Sequence, residues 1–227
     1  MASLRLAVLA SGRGSDLQSI LDASNEGRIQ SRVAVVVSDN ADAKAVERAR
    51  KANIPAEALV PDAGLKPAER RRKHEEQVAK VLRHYRVDLV VLAGYMRLVS
   101  GPFVAQYPNR IVNIHPALLP AFPGLHAQRQ ALEWGARITG CTTHFVDEKT
   151  DHGPIILQAA LTIERGETEE GLSRRILQAE HQILPRTIHL IEQGRVRVED
   201  RRVLLDPDAS WTQKFPTLPG VLYGDGY

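Results

Sequence analysis

The sequence predicts an α/β fold, doubly wound around a mostly parallel sheet with helices on both faces. Short, uninterrupted apolar runs recur along the first half of the chain, and segments of helical period separate them. Runs with no polar alternation fit strands buried on both faces, which is the condition of a parallel sheet covered by helices. Strand–helix alternation is the pattern that produces such a sheet. With 227 residues, 43% hydrophobic and 25% charged, the chain has the composition and length to bury a substantial core.

Taken in order, Leu4–Ala10 is the first strand, followed by a helix in which Leu17, Ile20 and Leu21 recur at helical spacing. Val33–Val37 is the second strand, and the Ala-, Lys- and Arg-rich Ala41–Ala52 the next helix. Ala68–Tyr85 carries Val78, Val81 and Leu82 on one helical face, and Leu89–Ala93 and Ile111–Ile114 are two further strands. Pro116, Pro120 and Pro123 then impose an irregular stretch before a helix over Leu125–Gly135. Two β runs follow, Ile138–Val146 and Pro154–Ile163, separated by the polar loop Asp147–Gly153. Thr168–Gln193 reads as a long helix bent at Pro185. Val196–Val198 and Val203–Leu205 flank Asp200-Arg201-Arg202 as a small hairpin. Residues 206–227, rich in Pro and Gly, read as an irregular surface tail. No repeat or linker interrupts the chain, so residues 1–227 are expected to form a single domain.

Several function classes are excluded by composition. Cys141 is the only cysteine, which rules out an internal disulfide framework and thiolate metal clusters. No apolar run resembles a signal peptide or a membrane helix, so a cytoplasmic protein without a membrane partner is expected. The formal charge of +3 comes from arginines interspersed with acids, as in Glu69–Glu76, and aromatic residues are only 5%. That pattern is a solvated helix face with no stacking platform, so no nucleic-acid partner is expected.

Four groups of residues carry chemistry. Ser11-Gly12-Arg13-Gly14-Ser15-Asp16-Leu17 lies between a strand and a helix, where glycines admit close backbone approach and free N–H groups suit phosphate. Leu17 at the third glycine position excludes the dinucleotide fingerprint, and the missing Gly-Lys-Ser/Thr end excludes a P-loop. The same residues also read as a tight turn with Ser15 or Asp16 as helix N-cap. Asn113-Ile114-His115-Pro116 ends a strand, and residues two apart in a strand project to one side. An amide donor beside an imidazole stabilises a developing oxyanion and relays a proton. Asp151, in Asp151-His152-Gly153-Pro154, is either the carboxylate that supports His115 or a turn residue. Glu180 shares a helical face with Ile176 and Ile183, and a carboxylate on an apolar stripe needs a partner. His126, His144 and His152 have no metal-ligand spacing with His115, and no metal is expected.

Together and in order, these stretches resemble the folate-dependent phosphoribosylglycinamide formyltransferases, from Leu4 to about Gly194. The likeness is carried by Val91-Leu92-Ala93-Gly94-Tyr95-Met96-Arg97, Asn113-Ile114-His115-Pro116-Ala117-Leu118-Leu119-Pro120, Pro123-Gly124-Leu125-His126 and Asp151-His152-Gly153-Pro154-Ile155-Ile156. It implies a Rossmann-like formyltransferase fold, with phosphate binding in the N-terminal half and folate binding and catalysis in the C-terminal half. The implied reaction moves a formyl group from 10-formyltetrahydrofolate to the amine of glycinamide ribonucleotide, in purine biosynthesis, without a metal. Asn113, His115 and Asp151 match the catalytic trio, with Asp151 raising the pKa of a protonated His115. Gly14, Ser15 and Asp16 match the phosphate loop, and Glu180 matches a contact to the sugar substrate. Arg71, Met96, Arg97, Leu98 and Val99, with Asn113 and the loop Asp147, Glu148, Lys149, Thr150 and Asp151, match the folate-binding residues.

One departure stands out. Where that family more often has asparagine in the glycine loop, this chain has Asp16. Its carboxylate is expected to turn onto its own helix as a cap, away from the phosphate. A 10-formyltetrahydrofolate hydrolase shares the trio and is the alternative activity, although such enzymes normally begin with an extra domain. The small-molecule reaction fits a monomer or a homodimer equally.

Overall fold

The computed structural model describes residues 3–206, 215 and 217–224. The chain runs β1 (Arg5–Leu9), α1 (Ser15–Asn25), β2 (Arg32–Ser38), α2 (Lys44–Lys51), β3 (Ala56–Ala58), α3 (Pro67–His84), β4 (Leu89–Leu92), α4 (Gly101–Val104) and β5 (Ile111–His115). It continues through α5 (Ala127–Glu133), β6 (Ile138–Phe145), β7 (Ile155–Thr162), α6 (Glu169–Glu192), β8 (Val196–Glu199), β9 (Arg202–Leu205) and β10 (Val221–Gly224). Eight strands form one sheet in the order β10-β7-β6-β5-β4-β1-β2-β3. From β3 to β5 every pairing is parallel. From β5 to β10 every pairing is antiparallel.

Two apolar cores explain the unbroken strand runs. On β1, Leu6 and Val8 join one core with Leu17 and Ile20 of α1, Val46 of α2 and Ile176, Ile183 and Ile188 of α6. The alternate residues Ala7 and Leu9 join Val78 and Leu82 of α3 and Phe103 of α4 in the other. Successive side chains on a strand point to opposite faces, so helices on both faces leave no place for a polar residue. The predicted doubly wound sheet is the observed one.

Three elements escaped the sequence reading, and all are short. β3 has three residues, with Glu57 at its centre, and α4 is a single turn capped by the Ser100 side chain, which accepts from the Phe103 N–H. β10 corrects the expected irregular tail: Val221–Gly224 pairs with β7, Val221 opposite Leu161 and Gly224 opposite Gln158. A sheet edge presents unpaired N–H and C=O groups, and this short run covers them. Residues 207–214, 216 and 225–227 of that tail lie outside the described residues. Helix α6 continues through Pro185 as one helix. Having no N–H, Pro185 gives nothing to the carbonyl four residues back, that of His181.

The chain leaves β1 for β2 and β3, then returns to the other side of β1 as β4. Open α/β sheets bind ligands at such a switch point, beyond the carboxyl ends of the strands. The turns after β1 and β4 are tied together there: the Ser11 N–H donates to the Gly94 carbonyl at 3.0 Å, and the Met96 N–H to Ser11 Oγ at 2.8 Å. No helix among the described residues is long and apolar enough to cross a membrane.

Candidate active site

Asn113 and His115 occupy the last turns of the pleat in β5, on the same side of the sheet as α3 and α4. Asp151 reaches them from the β6–β7 loop, where its own backbone takes a positive φ of 49°. The His115 Nδ1 stands 3.4 Å from Asp151 Oδ2, and the Asn113 Nδ2 donates to Asp151 Oδ1 at 3.4 Å. The Gly124 N–H donates to Asp151 Oδ2 at 2.8 Å, which ties the proline-rich stretch to the same carboxylate. His115 Nε2 donates to the Phe122 carbonyl at 2.8 Å. The sequence motifs of β5, residues 122–124 and 151 therefore converge on one point.

A further member went unrecognised in the sequence. His144 of β6 lies directly across the antiparallel ladder from Asn113. Its Nδ1 donates to the Phe145 carbonyl at 2.8 Å, leaving Nε2 to accept from Asn113 Nδ2 at 3.1 Å. That nitrogen is also 3.8 Å from Asp151 Oδ1. No local spacing advertises this partnership, because strand register alone creates it.

The electrostatics correct one expectation. Burial holds the His115 pKa below its ordinary value, with Asp151 and the Phe122 carbonyl opposing that shift and His144 adding to it. The resting imidazole is neutral rather than protonated, because desolvation disfavours the charged form more than Asp151 favours it. Its Nε2–H is committed to Phe122, so an incoming proton goes to Nδ1, facing Asp151. Burial pushes the Asp151 carboxyl up, but His144, the Gly124 N–H and His115 together carry it below its ordinary value. Asp151 is thus a carboxylate in the site.

Arg71, Tyr95, Arg97, Leu98 and Val99 line one crevice with His74 and Phe103. Leu98 is largely exposed there, at 57%, and Arg97 is paired with Asp39 at 3.6 Å; Met96, 65% exposed, is not among the residues that line the crevice. Glu148 packs along Gly101, so the loop 147–151 borders the same region. Within that loop Asp147 holds His152 Nδ1 at 2.7 Å and the Lys149 N–H at 2.9 Å. Arg201, in the β8–β9 turn, donates to the His152 carbonyl at 2.8 Å and pins the loop from outside. Thr150 and Lys149 lie exposed at its tip.

At the other end of the cleft, the glycine loop differs from the capping expectation. Gly14 is the N-cap of α1, at φ 67°, and Asp16 is the second helical residue. A Cβ at position 14 would come 2.8 Å from the Ala45 Cα, so this turn admits only glycine. Asp16 is buried and caps nothing at Gly14, which supplies no side-chain acceptor either. Glu180 is buried on α6 as its apolar stripe required. Burial, and then the charge of Asp16, raise its pKa well above the ordinary value, which favours the neutral acid. Among the described residues no three His, Cys, Asp or Glu side chains gather as metal ligands would.

Residues 4–188 match the family described as Formyl transferase. The phosphoribosylglycinamide formyltransferase of Escherichia coli is 40% identical, over 89% of this chain and 94% of that protein. The trifunctional purine biosynthetic protein adenosine-3 of Bos taurus is 41% identical over 86% of this chain, which spans only 19% of that protein's length. Among solved structures, glycinamide ribonucleotide transformylase 1 from Symbiobacterium toebii superposes with a TM-score of 0.86 and 53% identity, covering 90% of this chain and 95% of that one. A formyltetrahydrofolate deformylase from Pseudomonas syringae pv. tomato shares the fold, at TM-score 0.83, with 25% identity over 91% of this chain and 67% of that one. The chain belongs to the formyl transferase family, in its phosphoribosylglycinamide formyltransferase branch.

Proposed function

We propose that this enzyme transfers the formyl group of 10-formyltetrahydrofolate to the amine of glycinamide ribonucleotide in purine biosynthesis. The observation that carries the reading is the Asp151 carboxylate, within 3.4 Å of both Asn113 and His115 at the end of β5. The amine nitrogen attacks the formyl carbon, and the carbonyl oxygen becomes an oxyanion. Asn113 supplies the donor to it. Its bond to His144 is the shorter, and the long 3.4 Å contact to Asp151 marks the N–H that turns to the oxyanion. Neutral His115 takes the proton released by the amine, and Asp151 stabilises the imidazolium so formed. As the bond between the formyl carbon and the folate nitrogen breaks, His115 returns that proton to the departing nitrogen.

The remaining residues divide by ligand chemistry. Arg71 and the segment Met96–Val99 offer a cation beside exposed apolar surface, with Arg97 balanced by Asp39, which suits a folate with an apolar ring system and an anionic tail. Gly14, Ser15 and Asp16 at the start of α1 hold the phosphate end, with Glu180 beside them. Residues 1–227 then form one domain, with phosphate binding at the start of α1 and folate binding drawn from both halves, Arg71 and Met96–Val99 in the first and the loop 147–151 in the second. The substrates are small molecules and the enzyme is a cytoplasmic one. Incubation with 10-formyltetrahydrofolate, with and without glycinamide ribonucleotide, tests the reading. Loss of the formyl group only when the amine is present supports the transferase; equal loss without it makes the chain a hydrolase.

A further inference from the structure

The mouth of the phosphate loop holds two buried polar atoms that face each other and bond to nothing. Asp16 Oδ1 and His181 Nε2 lie 3.7 Å apart, and neither has a hydrogen-bond partner. Burying a polar atom without a partner is costly, and cores ordinarily avoid it. Here two such atoms, one on a carboxylate and one on an imidazole, stand just beyond hydrogen-bond distance. Both sit at the first turn of α1, where free N–H groups point out of the glycine loop. His181 comes from α6, one turn before Pro185, where the helix ladder is already interrupted.

The surroundings decide which groups can change charge. Asp22 on α1, Arg48 on α2, Cys141 on β6 and Glu180 on α6 all face this pair. Burial raises the Cys141 thiol well above its ordinary value, with Glu180 and Asp16 adding to the shift, so the thiol stays neutral near pH 7; burial and Asp16 raise Glu180 likewise, toward its acid form. Arg48 is anchored on the Arg13 carbonyl at 2.9 Å and Gln18 Oε1 at 3.0 Å. Gln18 Nε2 in turn donates to Asp22 Oδ1 at 2.9 Å. Burial pushes Asp16 up to about 6. Burial also lowers His181, with Asp22 opposing and Arg48 assisting. Near neutral pH the resting pair therefore carries one net negative charge, on the carboxylate.

We propose that the Asp16–His181 pair takes up one proton from solvent when a phosphate-bearing substrate enters, so that substrate binding is linked to protonation at this site. A phosphate dianion at the start of α1 repels the Asp16 carboxylate and raises the proton affinity of both partners. One added proton makes the pair electrically neutral, whichever atom it rests on, and supplies the missing hydrogen bond between Oδ1 and Nε2. With asparagine at position 16 the negative charge is absent and no such uptake is required. The inference rests on the proposed function, since it takes the phosphate of the aminosugar substrate to occupy this loop.

Calorimetric titration with glycinamide ribonucleotide at pH 7.5, in two buffers of different ionisation enthalpy, counts the protons taken up per ligand bound. The wild-type enzyme is expected to take up most of one proton, and its Kd to weaken by up to about tenfold per pH unit above neutrality. Asp16→Asn is close in shape and is expected to bind without that uptake, with a Kd nearly flat over the same range. His181→Gln is expected to retain binding with reduced uptake, which guards against an effect peculiar to one variant. Binding with no uptake by the wild type, or with equal uptake by wild type and Asp16→Asn, overturns the proposal and leaves the transferase reading intact. Failure of the wild-type enzyme to bind the ribonucleotide at all overturns the functional reading, and this inference with it.

Discussion

Asp16 and Asp151 are buried to the same degree, with 11% and 12% of their side chains exposed, yet their carboxyls shift in opposite directions. Burial raises both. At Asp151 the surroundings outweigh that: His144, the Gly124 N–H and His115 together hold it below its ordinary value. At Asp16 little offsets burial beyond its own backbone N–H, and the group is pushed up to about 6. Glu192 on α6 shows the saturated state away from the cleft. It accepts from Gln30 N, Ser31 N, Ser31 Oγ and His189 Nδ1, and burial is again outweighed. The comparison separates carboxylates the fold has completed from one that it has left incomplete. A completed carboxylate orients its neighbours, whereas an incomplete one responds to what arrives.

The largest effects belong to the completed side. His115→Ala is expected to lower kcat by at least about 10²-fold, the scale of a lost acid–base group, with both substrates still binding within a few-fold. Asp151→Asn keeps the size and removes the charge that favours the imidazolium. Its kcat falls similarly, and the acidic limb of the pH–rate profile moves to lower pH. The sign follows from the roles: His115 acts from its neutral form, burial already holds its pKa low, and losing Asp151 lowers it further. An unmoved limb with an unchanged rate would return Asp151 to the status of a turn residue.

The same substitution at the incomplete aspartate is expected to do the opposite to stability. The Asp16 pKa rises from 3.8 unfolded to about 6 folded. Its contribution is therefore full below pH 3.8 and is lost as pH rises through about 6. The shift corresponds to roughly 3 kcal/mol. Asp16→Asn should stabilise the enzyme by up to that amount at pH 8 and by little at pH 4, as read from urea unfolding. For Asp151 the linkage runs the other way: its lowered carboxyl contributes above pH 3.8, and the contribution is lost as pH falls through its folded value. Equal stability of wild type and Asp16→Asn at both pH values would mean that Asp16 has a partner in solution.

Much of this is legible in the sequence. Continuous apolar runs identified β1, β2, β4 and β5, since a strand between two helix layers has no polar face. Asn113 and His115 were legible because their two-residue spacing at a strand end is a local signal. Asp151 was visible as a residue, while its role waited on the loop that carries it. β3, α4 and β10 are too short for periodicity to register. The Asp16 cap failed because Gly14 had already taken the N-cap position, which leaves residue 16 inside the helix and its side chain facing α6. The neutral resting His115 was hidden as well, because charge partners can be guessed from sequence but burial cannot.

His144 offers the finest test of the completed side, because its hydrogen bond to the trio is the one it accepts from Asn113. Its Nδ1–H is held by the Phe145 carbonyl, so Nε2 has a lone pair fixed toward the Asn113 amide. That contact decides which end of the amide faces the reacting atoms, since a neutral ring nitrogen accepts from NH₂ and repels the amide oxygen. His144→Ala frees the amide to turn over. The expected loss in kcat is about tenfold, the scale of one misdirected hydrogen bond of about 1.4 kcal/mol, with little change in KM for either substrate. Asn113→Ala should cost more, and adding His144→Ala to it should cost almost nothing further, because the residue being positioned is gone. Additive losses in that cycle would show that His144 acts on Asp151 or on the substrate directly, and the orientation of Asn113 would then need another cause.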